Sequence, residues 1–341
     1  MAYLTSISAD RPRWTRLHAQ VHRRLQERRL LERGQPILVA VSGGQDSLCL
    51  LRLLLDLQPK WDWQIAIAHC DHRWRGDVGN AEFVQQIAQA WELPFYLQVA
   101  DQIAVSEGEA REWRYRALSA IAHQYEFSCV ATGHTASDRA ETLLYNLLRG
   151  SGADGLQALA WKRPLAAGVT LVRPILELTR LETAQFCQEQ ELAVWHDPAN
   201  SDLRFTRNRI RHELFPYLQT YLNPQVDRVL AQTAELLQSE VEYLETQASY
   251  LLARSRHPEQ LALNRHILRQ SPLALQRRTV RQFLQEVLPT APSFEHIEKL
   301  LALLPAHNRS QTDPLPGGMV AQVDGDWICL LWHSAQRLGG S

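Results

Sequence analysis

Six residues, Ser42-Gly43-Gly44-Gln45-Asp46-Ser47, combine what a phosphate needs with one group that it should repel. They stand between an apolar β-rich run, Ile37 to Val41, and a helical run, Leu48 to Leu55. A helix start leaves backbone N–H groups unpaired and carries the positive end of the dipole, so it attracts anions. Gly43 and Gly44 have no Cβ and tolerate positive φ, which lets backbone close around phosphate oxygens. Ser42 and Ser47 add hydroxyl donors. Asp46 repels a phosphate unless a cation such as Mg²⁺ lies between the two. The loop has no Lys, so it is not the G-x-x-x-x-G-K-S/T pattern; an ordinary Gly turn is the bland alternative.

Further chemistry sits downstream. Asp138 and Glu141 are three residues apart, so they share one helix face, as an ordinary solvated first turn also would. Arg111 and Arg114 share a face in the same way, with a surface salt bridge as the alternative. Arg204 to His212 carries four arginines, Arg207, Arg209 and Arg211 among them, and no acid. Two patterns are set aside. His69-Cys70-Asp71-His72 has no second ligand pair nearby to complete a zinc set. Gly150 to Gly155 matches G-x-G-x-x-G but follows a helix rather than a strand, which rules out a dinucleotide fingerprint.

The elements that must position these residues alternate. Strands are expected at 37–41, 64–68, 93–99, 127–132 and 170–172, with helices at 14–33, 80–91, 109–125, 135–148 and 179–191. The reading is α/β: a doubly wound, Rossmann-like parallel sheet with a smaller C-terminal α+β domain. Such sheets bind ligands beyond the carboxyl ends of their strands, where residues 42–47, 69–72 and 133–138 fall. Thr179 and Glu182 form a capping box. A long helix is expected over 225–252, then helices near 271–287 and 293–303, and a hairpin with strands 318–323 and 327–332 turning at Asp324-Gly325-Asp326. The expected division is an N-terminal helix at 1–35, a catalytic domain at 36–216, a linker helix at 217–256 and a substrate domain at 257–341.

With 341 residues the chain is long enough for two or three domains. The net charge of −1 argues against a uniformly basic nucleic-acid binder, but the arginines are concentrated locally, in 11–33, 204–212 and 254–281. No stretch is apolar enough to span a bilayer, and Met1 to Arg13 has no apolar signal core. The five cysteines form no C-x-x-C pair, which suits reduced thiols in a cytoplasm.

The loop at 42–47 resembles the SGGxDS pyrophosphate loop of N-type ATP pyrophosphatases. Five further stretches follow in order: His69 to His72, Glu109 to Tyr115, Ala131 to Thr142, Arg149 to Gly152 and Arg207 to Arg211. Together they resemble the tRNA(Ile)-lysidine synthetase family, closely over 36–216 and more loosely after 225. Ser137 and Arg139 stand where that family commonly has Asp and Gln. The resemblance implies a cytoplasmic ligase. It would adenylate the wobble cytidine of a CAU-anticodon isoleucine tRNA with ATP and then join free L-lysine to C2, giving lysidine, AMP and pyrophosphate. It implies that Ser42, Gly43, Gly44, Gln45, Asp46 and Ser47 bind ATP and that Asp46 and Asp138 hold Mg²⁺. Asp138 and Glu141 would receive the lysine amine and accept its proton, with Arg111 or Arg114 on the α-phosphate or the lysine carboxylate. Arg207, Arg209 and Arg211 would contact tRNA. A homodimer is left open, and no membrane is implied. The alternatives are a tRNA-thiolating enzyme of the same superfamily, which needs a reactive cysteine (Cys70 is the lone candidate), and a non-catalytic ATP-binding protein.

Overall fold

The structure is a computed structural model, and it describes residues 14–73, 78–103, 106–196 and 202–332. The expectations for Met1 to Arg13 and for the last part of the substrate domain, 333–341, lie outside the described residues. The chain forms two compact units, one ending at Leu237 and the other beginning at Gln238.

In the first unit β1 (Pro36–Ala40) is the pivot. It pairs in parallel with β2 (Gln64–Asp71) on one side and with β4 (Cys129–Thr132) on the other, so Leu38 lies opposite both Ala66 and Val130. Parallel β3 (Phe95–Val99) follows β2, and parallel β6 (Val169–Val172) follows β4. The order β3-β2-β1-β4-β6-β5 reverses direction between β1 and β4, which opens a crevice at their carboxyl ends. The edge strand β5 (Lys162–Ala166) runs antiparallel to β6. It was not anticipated, because Lys162-Arg163-Pro164 shows no apolar alternation; Pro164 is tolerated because the strand is at the edge.

Alternate residues of β1 face opposite layers, as a two-residue side-chain period requires. Ile37 and Val39 pack with Leu25 of α1 (Arg16–Glu27), Leu51 of α2 (Gln45–Trp61), Val84 of α3 (Asn80–Ala90) and Phe186. Leu38 packs with Leu118 and Ile121 of α4 (Glu107–Gln124). Helices therefore cover both faces and the sheet is doubly wound, which is why the central strand β1 is apolar throughout. After β4 come α5 (Ala136–Leu148) and the single turn α6 (Ala153–Leu156); α7 (Arg180–Glu189) follows β6. The expected capping box holds, since Thr179 N–H donates to Glu182 Oε2 at 2.8 Å and Glu182 N–H to Thr179 Oγ1 at 3.3 Å.

The basic segment folds as α8 (Thr206–Arg209), a π-turn over Ile210–Leu214 and α9 (Phe215–Tyr221). Ile210 and Phe215 pack against Ala140, which docks this segment on α5. The boundary between the units falls within α10 (Val226–Ser255). The second unit holds β7 (Ala262–Asn264), α11 (Arg265–Arg269), α12 (Leu273–Val287), α13 (Phe294–Ala302), β8 (Met319–Asp324) and β9 (Trp327–Trp332). Its antiparallel sheet runs β7-β9-β8 beside a core that includes Phe283, Leu300 and Ile328. Asp324 pairs with Trp327 across Gly325-Asp326, with Gly325 at φ +57°, so the expected hairpin is present.

Candidate active site

The loop at 42–47 joins β1 to α2. Positive φ falls on Gly43 (+84°), where an added Cβ would lie 2.5 Å from Asn80 Oδ1. Gly44 is the N-cap of α2 at φ −74°, so it needs no left-handed conformation; what it offers is a surface without a side chain. The loop's carbonyls are held from behind: Asn80 Nδ2 donates to Ser42 O and Trp195 N–H to Gly43 O, both at 3.0 Å. Ser47 Oγ has partners within the loop. Its one proton goes to Gly44 O at 2.8 Å while its oxygen accepts from Ser42 N–H at 3.2 Å, so it closes the loop. Gln45 turns away, donating to Arg180 O at 2.8 Å and Thr183 Oγ1 at 3.1 Å. The Ser42 hydroxyl stays exposed.

Asp46 in the first turn of α2 and Asp138 and Glu141 on one face of α5 are brought together by a residue that the sequence reading missed. Arg180, the first residue of α7, donates to Asp138 at 2.7 Å and Glu141 at 2.7 Å and reaches Asp46 at 3.4 Å. A cation at a helix N-terminus opposes the dipole, and that misplacement was the available signal of a dedicated acidic partner. Thr183, one turn on, donates to Asp46. Arg211 grips Glu141 with two bonds, at 2.8 and 2.9 Å, and Arg207 adds a third at 3.3 Å. Arg207 and Arg211 also lie 3.7 and 3.6 Å from Asp138. The basic segment therefore divides: Arg207 and Arg211 turn inward to the acids, while Arg209 is exposed and bonds Thr206 at 3.1 Å.

Burial, with Asp138 nearby, pushes the Asp46 carboxyl up despite Arg180 and Thr183. Burial would raise Asp138 too, but Arg180, Arg207, His134 and Arg211 together hold it far below the usual carboxylate range. Glu141 is held below its ordinary value in the same way, by Arg211 and Arg180 against burial. A carboxyl depressed on folding contributes stability that is present above its unfolded pKa and lost as pH falls through its folded one. Asp46 carries the opposite sign. Asp138→Asn should therefore be less stable than the parent at neutral pH, and the gap should close as pH falls well below about 4. Urea unfolding between neutral and acid pH checks this; a gap independent of pH would mean that Asp138 is not held ionised by the arginines.

Arg111 and Arg114 part company. Arg111 lies over the Tyr115 ring at 5.2 Å, and Arg163 of β5 covers the same ring at 4.6 Å. Burial first, and then Arg207, Arg114 and Arg163, lower the Arg111 guanidinium against the pull of Tyr115. Arg114 is exposed and donates to His72 Nε2 at 3.2 Å. His69 donates through Nδ1 to Val41 O at 2.8 Å, so neither histidine of the H-x-x-H pair is idle. Burial pushes the Cys70 thiol up to about 12, which leaves it protonated at neutral pH and a poor nucleophile. The substituted positions in the Ala131 to Thr142 block have their own partners: Ser137 Oγ accepts from Arg180 N–H at 3.1 Å, and Arg139 pairs with Glu235. Asp46 and Asp138 already share one cation, Arg180, and are hard oxygen donors. They fit Mg²⁺, which takes one or two carboxylates together with phosphate oxygens.

A family model described as a PP-loop domain matches residues 15–218, and one described as the TilS substrate binding domain matches 263–325. The tRNA(Ile)-lysidine synthase of Nostoc sp. (strain PCC 7120) is 58% identical over 332 residues, covering 93% of this chain and 97% of that protein. That of Synechocystis sp. (strain PCC 6803) is 52% identical over 326 residues, covering 94% and 99%. A chloroplastic tRNA(Ile)-lysidine synthase from Zygnema circumcarinatum is 37% identical over 319 residues, covering 80% and 76%. Among solved structures, the U34-tRNA thiolase NcsA from Methanococcus maripaludis matches with a TM-score of 0.54 at 15% identity, covering 64% of this chain and 78% of that one, a likeness of fold alone. No helix among the described residues is long and apolar enough to cross a membrane. The PP-loop match spans more than half of the chain and such relatives span nearly all of it, and the chain belongs to the tRNA(Ile)-lysidine synthase family.

Proposed function

We propose that the chain converts the wobble cytidine of a CAU-anticodon isoleucine tRNA into lysidine, using ATP and free L-lysine. Beside the family membership, the observation that carries this is the acid trio Asp46, Asp138 and Glu141, gathered where the loop after β1 meets the start of α5. In the first step the cytidine C2 oxygen attacks the α-phosphorus of ATP, the bond to the bridging oxygen breaks and pyrophosphate leaves. In the second the lysine ε-amine attacks C2, the C2–O bond breaks and AMP leaves.

The N–H groups at the start of α2, with Gly43, Gly44 and Ser42, hold the β,γ-phosphates. Mg²⁺ on Asp46 and Asp138 supplies charge neutralisation on those phosphates. Arg111, the more enclosed of the two α4 arginines, serves the α-phosphate or the lysine carboxylate. Asp138 and Glu141 are suited to binding an ammonium group more than to taking its proton, because their arginines make them weak bases. Glu141 Oε becomes a proton acceptor when Arg180 and Arg211 swing to phosphate. Exposed Arg209 is left for tRNA backbone, residues 257–341 hold the tRNA body, and the setting is cytoplasmic.

The test is lysine incorporation with pyrophosphate release, using labelled lysine, ATP and a CAU-anticodon isoleucine tRNA transcript. Incorporation that requires both ATP and this tRNA supports the reading. Pyrophosphate release without incorporation overturns lysine as the nucleophile, and release with no tRNA present overturns the cytidine as the attacking group.

A further inference from the structure

The first unit has a cavity away from the acid trio. It measures about 460 Å³ and lies between α1, the N-terminal turns of α10 and the far side of α5. At 3.6 residues per turn, Asp138 and Glu141 project from one side of α5 and the cavity-lining Ala136 and Arg139 from nearly the opposite one. The cavity is thus separated from the reacting groups by the body of that helix. Its described lining contains six arginines and three glutamates. Each glutamate is already paired: Glu177 with Arg24, Glu182 with Arg228 at 2.9 Å, and Glu235 with both Arg28 and Arg139. Arg16 and Arg23 also line it, are exposed, and pair with no acid among the described residues.

Unpaired arginines beside satisfied acids leave an excess of positive charge that nothing in this unit's cavity uses. On α1 the two arginines without an acid partner among the described residues, Arg16 and Arg23, are seven residues apart on one side of the helix, about 10 Å at 1.5 Å per residue. That exceeds the reach of a single phosphate and matches a run of successive phosphates. Guanidinium suits phosphate oxygens through its planar fork. We propose that this α1 cleft is a second contact surface for RNA backbone, gripping phosphates of the substrate tRNA away from the modified base. This rests on the reading of tRNA as substrate. The contacts are to backbone, so they add affinity and orientation and carry no sequence information.

The experiment is tRNA binding as a function of salt, comparing the parent with Arg16→Glu/Arg23→Glu and with Arg16→Lys/Arg23→Lys on the CAU-anticodon isoleucine tRNA transcript. Each lost phosphate contact removes about 0.7 to 0.9 from the slope of log K against log salt, so the glutamate pair should flatten it by about 1.5. The lysine pair should retain the parental slope, and ATP binding measured without tRNA should be unchanged in both. A parental slope in the glutamate variant overturns the proposal. Weakened ATP binding with an unchanged tRNA slope overturns it in favour of a free nucleotide in the cleft. If the parent itself fails to bind this tRNA, the substrate reading falls instead.

Discussion

Replacing Glu141 with alanine is expected to cost about 3 kcal/mol of folding stability, the low end of what removing one member of a buried ion pair costs. The Glu141 side chain is 2% exposed and accepts four hydrogen bonds from Arg180, Arg207 and Arg211. Its loss leaves three guanidinium groups facing one another around Asp138. They are 21–27% exposed, so water recovers part of the loss, which sets the value at the low end. Glu141→Gln keeps the shape but turns an amide NH₂ toward guanidinium donors, so it too should destabilise. In lysine incorporation both variants should fall at least a hundredfold, about 2.7 kcal/mol of barrier. Urea unfolding and single-turnover assays read the two effects separately. An unchanged urea midpoint in Glu141→Ala would show that burying the carboxylate costs as much as the arginines return. Retained turnover in a stable variant would remove Glu141 from the reaction.

Gly133→Ala should be the second severe change. A Cβ there would meet Asp46 O at 2.8 Å and Asp46 C and Ser47 N at 2.9 Å, all backbone atoms of the first turn of α2. No side chain can rotate out of the way, so the end of β4 and the phosphate loop must separate. The overpacking cost is about 2 kcal/mol. The displaced loop should also raise the ATP dissociation constant at least tenfold, about 1.4 kcal/mol. Gly44→Ala is the matching control, since its nearest contact would be Ser42 Oγ at 3.7 Å. It should fold normally and weaken ATP binding only through a methyl group set where phosphate docks. Equal ATP affinity in Gly133→Ala and the parent would mean that the crevice between β1 and β4 is not where the nucleotide sits.

The pyrophosphate loop and the alternation of strands and helices were legible because their signals are local: a Gly pair between two apolar runs, and periods of two and 3.6. Asp138 and Glu141 were legible as a shared face for the same reason. Arg180 was not. It stands 39 residues from Glu141 and 134 from Asp46, and the sequence around it reads as a plain capped helix. Arg207 and Arg211 were read as phosphate contacts because the stretch 204–212 holds four arginines and no acid; in the fold both pair with Glu141, brought close when Ile210 and Phe215 pack on Ala140. Ser47 has a role that its position in the motif did not announce. Its hydroxyl is the right chemistry for a ligand, but the turn uses it first. The edge strand β5 was hidden because its residues are polar and include a proline, and only pairing with β6 makes them a strand.

Arg180 gives the acid trio a consequence beyond its stability. Asp46, Asp138 and Glu141 already carry a counter-charge before any ligand arrives, so the site behaves as an ion exchanger stored in its guanidinium form. In the proposed function a cation on Asp46 and Asp138 takes the place of Arg180, and a displaced guanidinium at a helix start is a partner for phosphate. A phosphate arriving alone finds that arm occupied, and a cation arriving alone strands it. Under the proposed function, loading of the two signs of charge is thereby coupled, and ATP binding is expected to tighten with Mg²⁺ more than either ion's separate affinity accounts for.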